Sequence, residues 1–214
     1  MRIYQFINSI VYLFLLIVFC GDAACQSNYM LDPEGSKMTI EGTSSLHNWQ
    51  MEVNDMNCLT KFAIDGRKIT SIQSLEFSCL PTSIVSDSKL MDKKTYEALK
   101  VESYSKIDFK MIKGEIISRT GDEFNGMVTG NLFIAGQTRE IKVPFRGNFL
   151  DNGQLMVEGK VDLKMSEFKI EPPTAMFGTL KTGDEISIIY SFMLDSPGAP
   201  NHLSELKSGS SKEN

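Results

Sequence analysis

From about Gly35 to Leu194 apolar side chains recur at every second position, and this spacing constrains the fold more tightly than any other feature of the chain. Over residues 155–165, Leu155, Val157, Val161, Leu163 and Met165 share one face. Glu158, Lys160, Asp162 and Lys164 take the other, as in a strand with one side in water. Comparable stretches run over Met38–Ser44, Trp49–Ile64 with a bulge expected near Asn54-Asp55, Thr70–Pro81, Ile107–Ser118, Phe124–Ala135, Glu140–Leu150 and Glu185–Leu194. Eight strands are predicted. Asp65-Gly66, Thr120-Gly121-Asp122, Ala135-Gly136-Gln137 and Asp151-Asn152-Gly153 are turn sequences that make most neighbours antiparallel hairpins. Glycines inside strands, at Gly42, Gly130, Gly147 and Gly159, suit barrel corners or close backbone approaches. Closing the sheet removes its edges, and eight strands enclose either a filled core or room for one small ligand.

One helix is expected, over Asp92 to about Lys100, between the third and fourth strands, with Asp92 as cap and Leu99 facing inward beside Thr95 or Tyr96. The segment Ser166–Asp184 is too long and too apolar for a turn. Its Phe168, Ile170, Met176 and Phe177 suggest packing at a cavity mouth. After Asp195 the composition is that of a disordered tail.

The N-terminus bears on the compartment. Arg2 precedes an apolar run from Ile10 to Cys20, and Ala23 and Cys25 place small residues where a signal peptide is cut. Such a run rises only ~16 Å as a helix against a hydrocarbon core of ~30 Å, so residues 1–25 read as a leader rather than an anchor. Lipidation at Cys20 or Cys25 is the alternative. A ten-residue extension, 26–35, then precedes one domain over 36–194 and a tail over 195–214. With 42% apolar and 23% charged residues in 214, the chain is an ordinary globular one. Its net charge of −5 without a basic cluster argues against a nucleic-acid binder.

Removing the leader leaves Cys58 and Cys79, an even pair in an oxidising space, and a disulfide between them is expected across the hairpin near Lys68-Ile69. They are not spaced as metal ligands, and His47 and His202 are too few to complete a cluster. His47 stands near Ser44 and Ser45, but no nucleophile elbow is present. A hydrogen bond from its ring that fixes Trp49 is the expected role, and no catalytic residue is assigned.

Four blocks, in order, resemble the YceI-like family of exported lipid- or polyisoprenoid-binding proteins: Gly42-Thr43-Ser44-Ser45-Leu46-His47-Asn48-Trp49; Met91 to Lys100 with Ile107-Asp108-Phe109; Gly130 to Thr138; and Glu167 to Pro173 with Lys181-Thr182-Gly183-Asp184-Glu185. The resemblance implies an all-β, lipocalin-like barrel of eight antiparallel strands that holds a long apolar chain, and no enzymatic activity. Alternation together with the family pattern assigns the inward, ligand-binding side chains. These are Trp49 and Met51, then Leu75 and Phe77, then Ile107 and Phe109, and Leu132 and Ile134. Ile141 and Val143, Val157 and Val161, Phe168, and finally Ile188, Tyr190 and Phe192 complete the set. No cofactor is implied beyond a bound polyprenyl lipid or isoprenoid quinone. The implied partner is that apolar lipid, in a periplasmic or extracellular setting compatible with transient membrane contact and with a homodimer. A ligand-free structural or adhesion module with a filled core is the alternative.

Overall fold

The computed structural model describes residues 25–175 and 178–196, so the leader, its lipidation alternative, Met176, Phe177 and the tail beyond Ser196 lie outside the described residues. Eleven strands are found among these residues: β1 (Cys25–Ser44), β2 (Asn48–Val53), β3 (Met56–Asp65), β4 (Lys68–Cys79), β5 (Ile84–Val85), β6 (Ile107–Thr120), β7 (Glu123–Ile134), β8 (Gln137–Phe149), β9 (Leu155–Lys164), β10 (Thr174–Ala175) and β11 (Leu180–Asp195). β1, β3, β4, β6, β7, β8, β9 and β11 follow one another around a ring that the β11–β1 pairing closes, and every pairing in it is antiparallel. The expected eight-strand barrel is thus the fold. β2 continues the line of β3 past a break at Asn54-Asp55, β5 adds to β2, and β10 to β11.

β1 begins at Cys25, so residues 26–35 belong to the first strand instead of preceding the domain. Tyr29 and Leu31 are buried. The strand was hidden because Pro33-Glu34-Gly35 breaks the alternation. Between Asp32 and Lys37 the β1–β11 register shifts, and against β3 and β2 it moves from Met30 facing Leu59 to Thr39 facing Glu52.

The helix α1 (Lys89–Leu99) lies between β5 and β6. Its cap is Ser88, whose Oγ accepts from the Met91 N–H at 3.4 Å. Asp92 instead accepts from the N–H and the hydroxyl of Ser86, both at 2.7 Å, and pins the entering chain to the first turn. Thr95 and Leu99 face the barrel, and Tyr96 turns away to donate to the Thr82 carbonyl. No helix among the described residues is long and apolar enough to cross a membrane.

The two ends of the barrel differ. At one end the β3–β4, β6–β7 and β8–β9 turns meet. There Arg67 donates two hydrogen bonds to Asp122, at 2.9 and 3.0 Å, and a third to the Phe149 carbonyl. Beneath them Phe124 packs edge-on to Phe145 and tilted against Phe149, closing a floor. The opposite end carries the β1–β2 turn, α1 and the segment between β9 and β11.

Candidate functional site

The barrel encloses a cavity of about 490 Å³, and all sixteen inward residues assigned from the sequence line it. This volume is within the ~300–1,000 Å³ usual for small-ligand pockets. Phe62, Phe124 and Val128 are buried against their neighbours, whereas Ile40, Trp49, Ile141, Val143, Ile186 and Ile188 are half-buried on the cavity wall. Phe77 and Phe192 stack across the lumen at 5.8 Å, joining β4 to β11 on opposite walls.

Four aromatic rings lie over glycines of the neighbouring strand. Gly42 faces Trp49, Gly147 faces Phe124, Gly126 faces Phe145 and Gly159 faces Tyr190 across adjacent strands. A Cβ on any of these glycines would stand within 2.5 Å of the ring or its hydroxyl. Each ring thus occupies the space that its partner's side chain would fill. Trp49 is fixed in this way and by donating from Nε1 to the Thr43 carbonyl at 2.9 Å. His47 does not fix it, contrary to expectation. The histidine is exposed in the β1–β2 turn, and its Nδ1 lies 2.6 Å from the Asn48 carbonyl.

Cys58 and Cys79 are free thiols, which overturns the expected disulfide. Both face the lumen, but Cys58 is paired with Phe77 and Cys79 with Met56. They stand on a diagonal two residues out of register. Such neighbours are ~7–8 Å apart, beyond the ~4.4–6.8 Å Cα separation of a disulfide. The Cys58 Sγ lies instead 3.6 Å from the Thr60 hydroxyl. Thr60 is the one buried polar residue among those described. Tyr190, whose ring covers Gly159, donates to the Pro144 carbonyl at 3.0 Å, where the β8–β9 ladder ends.

The sequence reading missed Met38 and Ile40 on β1, Phe62 on β3, and Leu163 on β9, all cavity-lining. Strand parity points to each of them. Leu99 on α1 lines it as expected, and Met91 and Ala98 beside it were missed because only the docking of the helix over the barrel places them there. Of the charged residues that border the cavity, Lys94, Lys164 and Lys181, Lys164 takes the outward face of β9 and pairs with Glu185 at 3.5 Å. No buried charge is found among the described residues.

The sequence over residues 29–194 matches the YceI-like domain. The chain belongs to the YceI-like family. Among solved structures this YceI-like chain is similar to Burkholderia cenocepacia BcnA, with 19% identity and a TM-score of 0.59, over 76% of this chain and 98% of that one. It is similar to a polyisoprenoid binding domain from Saccharophagus degradans implicated in plant cell wall breakdown, with 10% identity and a TM-score of 0.59, over 79% and 98%. The Campylobacter jejuni YceI protein matches with 16% identity and a TM-score of 0.53, over 70% and 85%. At these identities the likeness is one of fold. No curated protein matches the chain.

Proposed function

We propose that this YceI-like protein is an exported, non-enzymatic carrier that holds one long apolar lipid, of polyisoprenoid or isoprenoid quinone type, inside its barrel. The observation that carries the reading is the apolar cavity of about 490 Å³ inside the barrel. A filled-core module has no use for such a space. The Saccharophagus degradans domain is a polyisoprenoid binder by description, which supports the ligand class. The hydroxyl of Ser44, the serine beside His47, is engaged within the turn: it donates to the His47 carbonyl and accepts from the Leu46 and His47 N–H groups. That engagement favours a structural role over a nucleophilic one. The leader and the compartment rest on the N-terminal sequence alone, with lipidation at Cys20 or Cys25 as the variant of that reading. Periplasmic or extracellular location, transient membrane contact and a homodimer belong to the same proposal.

Burial contributes ~0.8 kcal/mol per methylene while association costs roughly 4–15 kcal/mol, and micromolar binding requires about 8 kcal/mol net. A chain of about 20 carbons is therefore needed, and short fatty acids should bind poorly. Mass spectrometry of organic extracts from protein purified from its own source is the direct test. Extracts should contain one polyprenyl-type lipid. Phe109→Asp, which puts an unpaired charge into the lumen, should empty it, while Ile117→Ser on the outer face should retain the lipid. Wild-type protein that carries no lipid and takes up no polyprenyl ligand would leave the filled-core module as the better account.

A further inference from the structure

Two ladders of the ring are short, each of four pairs: β8–β9, over Arg146–Phe149 against Leu155–Glu158, and β4–β6, over Glu76–Cys79 against Ile107–Lys110. Past the end of the β8–β9 ladder the wall is spanned by hydrogen bonds. Tyr190 donates to the Pro144 carbonyl, and Arg139 donates to the Glu167 carbonyl of the segment whose Met165 and Phe168 are buried. The β4–β6 break has no such cover. From the ladder to the floor, Lys68–Leu75 faces Met111–Thr120 without further pairing, over roughly 26 Å at ~3.3 Å per residue. Two bulges on β6 account for it. Ile112 and Ile117 are the residues that β7 leaves unmatched, and each bends β6 out of line with β4. Side-chain bonds in this stretch stay on their own side. Thr70 donates to the Ala63 carbonyl on β3, Asn125 on β7 to the Ser118 hydroxyl, and Lys113 pairs with Glu115 along β6. The contact across the break is apolar: Ile72 occupies the space beside Gly114, where a Cβ would fall 2.7 Å from the Ile72 Cβ.

Both ends of this seam are fixed. Toward α1 the ladder is backed by the ion pair of Lys110 with Glu76 at 3.2 Å, and at the floor Arg67 holds Asp122 through two hydrogen bonds. Between them, Ile72 and Leu75 line the cavity, Met111 and Ile116 pack against the core, and Ile112 and Ile117 are exposed outside. A path through the seam is therefore lined with apolar side chains from solvent to lumen, and parting it breaks packing contacts without breaking a ladder. Opening the other end would instead detach α1, where Tyr96 donates to the Thr82 carbonyl and Asp92 holds Ser86. We infer that the β4–β6 seam is a lateral gate, which parts to pass the apolar chain between solvent and lumen, with the Arg67–Asp122 pair as its latch. This rests on the carrier reading and adds the route by which its ligand enters.

Ile72→Cys combined with Gly114→Cys puts a removable bond across the seam, because the two Cβ positions are in contact. Geranylgeraniol serves as the probe, and Trp49, the single tryptophan, lines the cavity and reports its uptake in stopped-flow fluorescence. In the oxidised double variant, uptake and release should both slow by about tenfold or more, and reductant should restore them. Asp122→Asn, which releases the latch outside the cavity, should speed both by about threefold with Kd unchanged, since a gate alters the barrier and not the bound state. In the free protein, hydrogen exchange should be about tenfold faster in peptides covering Lys68–Leu75 and Met111–Thr120 than in those covering the β7–β8 ladder. Rates that the oxidised bond leaves unchanged overturn the gate and keep the carrier reading, with entry under α1 in its place. Equal protection of the seam and the β7–β8 ladder does the same, and unchanged rates in Asp122→Asn remove the latch. A cysteine pair that peptide mapping finds unbonded after oxidation overturns the strand contact on which the gate depends. Wild-type protein that takes up no geranylgeraniol removes the carrier reading and the gate together.

Discussion

Inside the barrel the thiols of Cys58 and Cys79 lose the solvation that a thiolate needs. Burial pushes Cys58 up to about 11, against a smaller opposing effect of the Thr60 hydroxyl. It pushes Cys79 up to about 12, with Asp108 and Asp55 adding to the shift. Both should be inert in the native protein, because the thiolate is the nucleophile. Alkylation with iodoacetamide at about pH 8, followed by peptide mapping, should leave the peptides containing Cys58 and Cys79 unlabelled in the folded state and fully labelled in denaturant without reductant. Rapid labelling of folded protein would contradict the burial, and labelling only after reduction would contradict the free thiols. Strand parity puts Cys58 on the face of Phe62 and Cys79 on that of Phe77, and both line the cavity. Their offset depends on how β3 slides against β4, and hydrophobic alternation is unchanged by a shift of two residues.

Pairs of strands explain what single strands could not. In-strand glycines read as barrel corners or close backbone approaches from the sequence, and at Gly42, Gly147 and Gly159, as at Gly126, the deciding feature is the ring opposite on the next strand. At Gly147 an added Cβ would fall 2.2 Å from the Phe124 ring, which is itself buried against the floor. Gly147→Ala should therefore cost about 1–3 kcal/mol by overpacking, with Phe124→Leu in the same chain recovering part of the loss. Denaturant titration of the single and double variants measures the coupling, and strictly additive losses would refute the ring-on-glycine packing. On β6 the alternation fails for a related reason. The register skips between Met111 and Lys113 and again between Ile116 and Ser118, so Ile112 and Ile117 are exposed, at 55% and 67%, within an otherwise half-buried strand. Phe133, outward by parity, is half-buried under Tyr104 at 5.9 Å, a contact supplied by the chain leaving α1.

At the scale of the whole molecule, the floor depends on the hydrogen bonds from Arg67 to Asp122, which hold the Asp122 carboxyl below its ordinary value of 3.8. Asp162, bonded by the Ser187 hydroxyl, and Asp184, bonded by Ser166, are lowered as well. A carboxyl whose folded value lies below its unfolded one stabilises the fold fully above the unfolded value. That contribution is lost as pH falls through the folded value. Thermal stability should thus decline as pH drops below about 4, and Asp122→Asn should decline less steeply over the same range while being less stable near neutrality. Melting curves followed by circular dichroism between about pH 2 and pH 7 decide it, and an unchanged slope in the variant would count against the floor clamp. The amino-acid sequence by itself determined the fold class, the eight strands of the barrel and the inward face of most of them, because alternation is local and a barrel is what eight such strands can close into. Alternation together with the family pattern placed sixteen residues on the inward faces, and all sixteen line the cavity. Only the tertiary structure decided that β1 starts at Cys25, that Cys58 and Cys79 stand apart, and that the inward side chains leave a cavity of about 490 Å³. Register, closure and the docking of α1 over one end bring together residues far apart in the chain, and no local pattern records those distances.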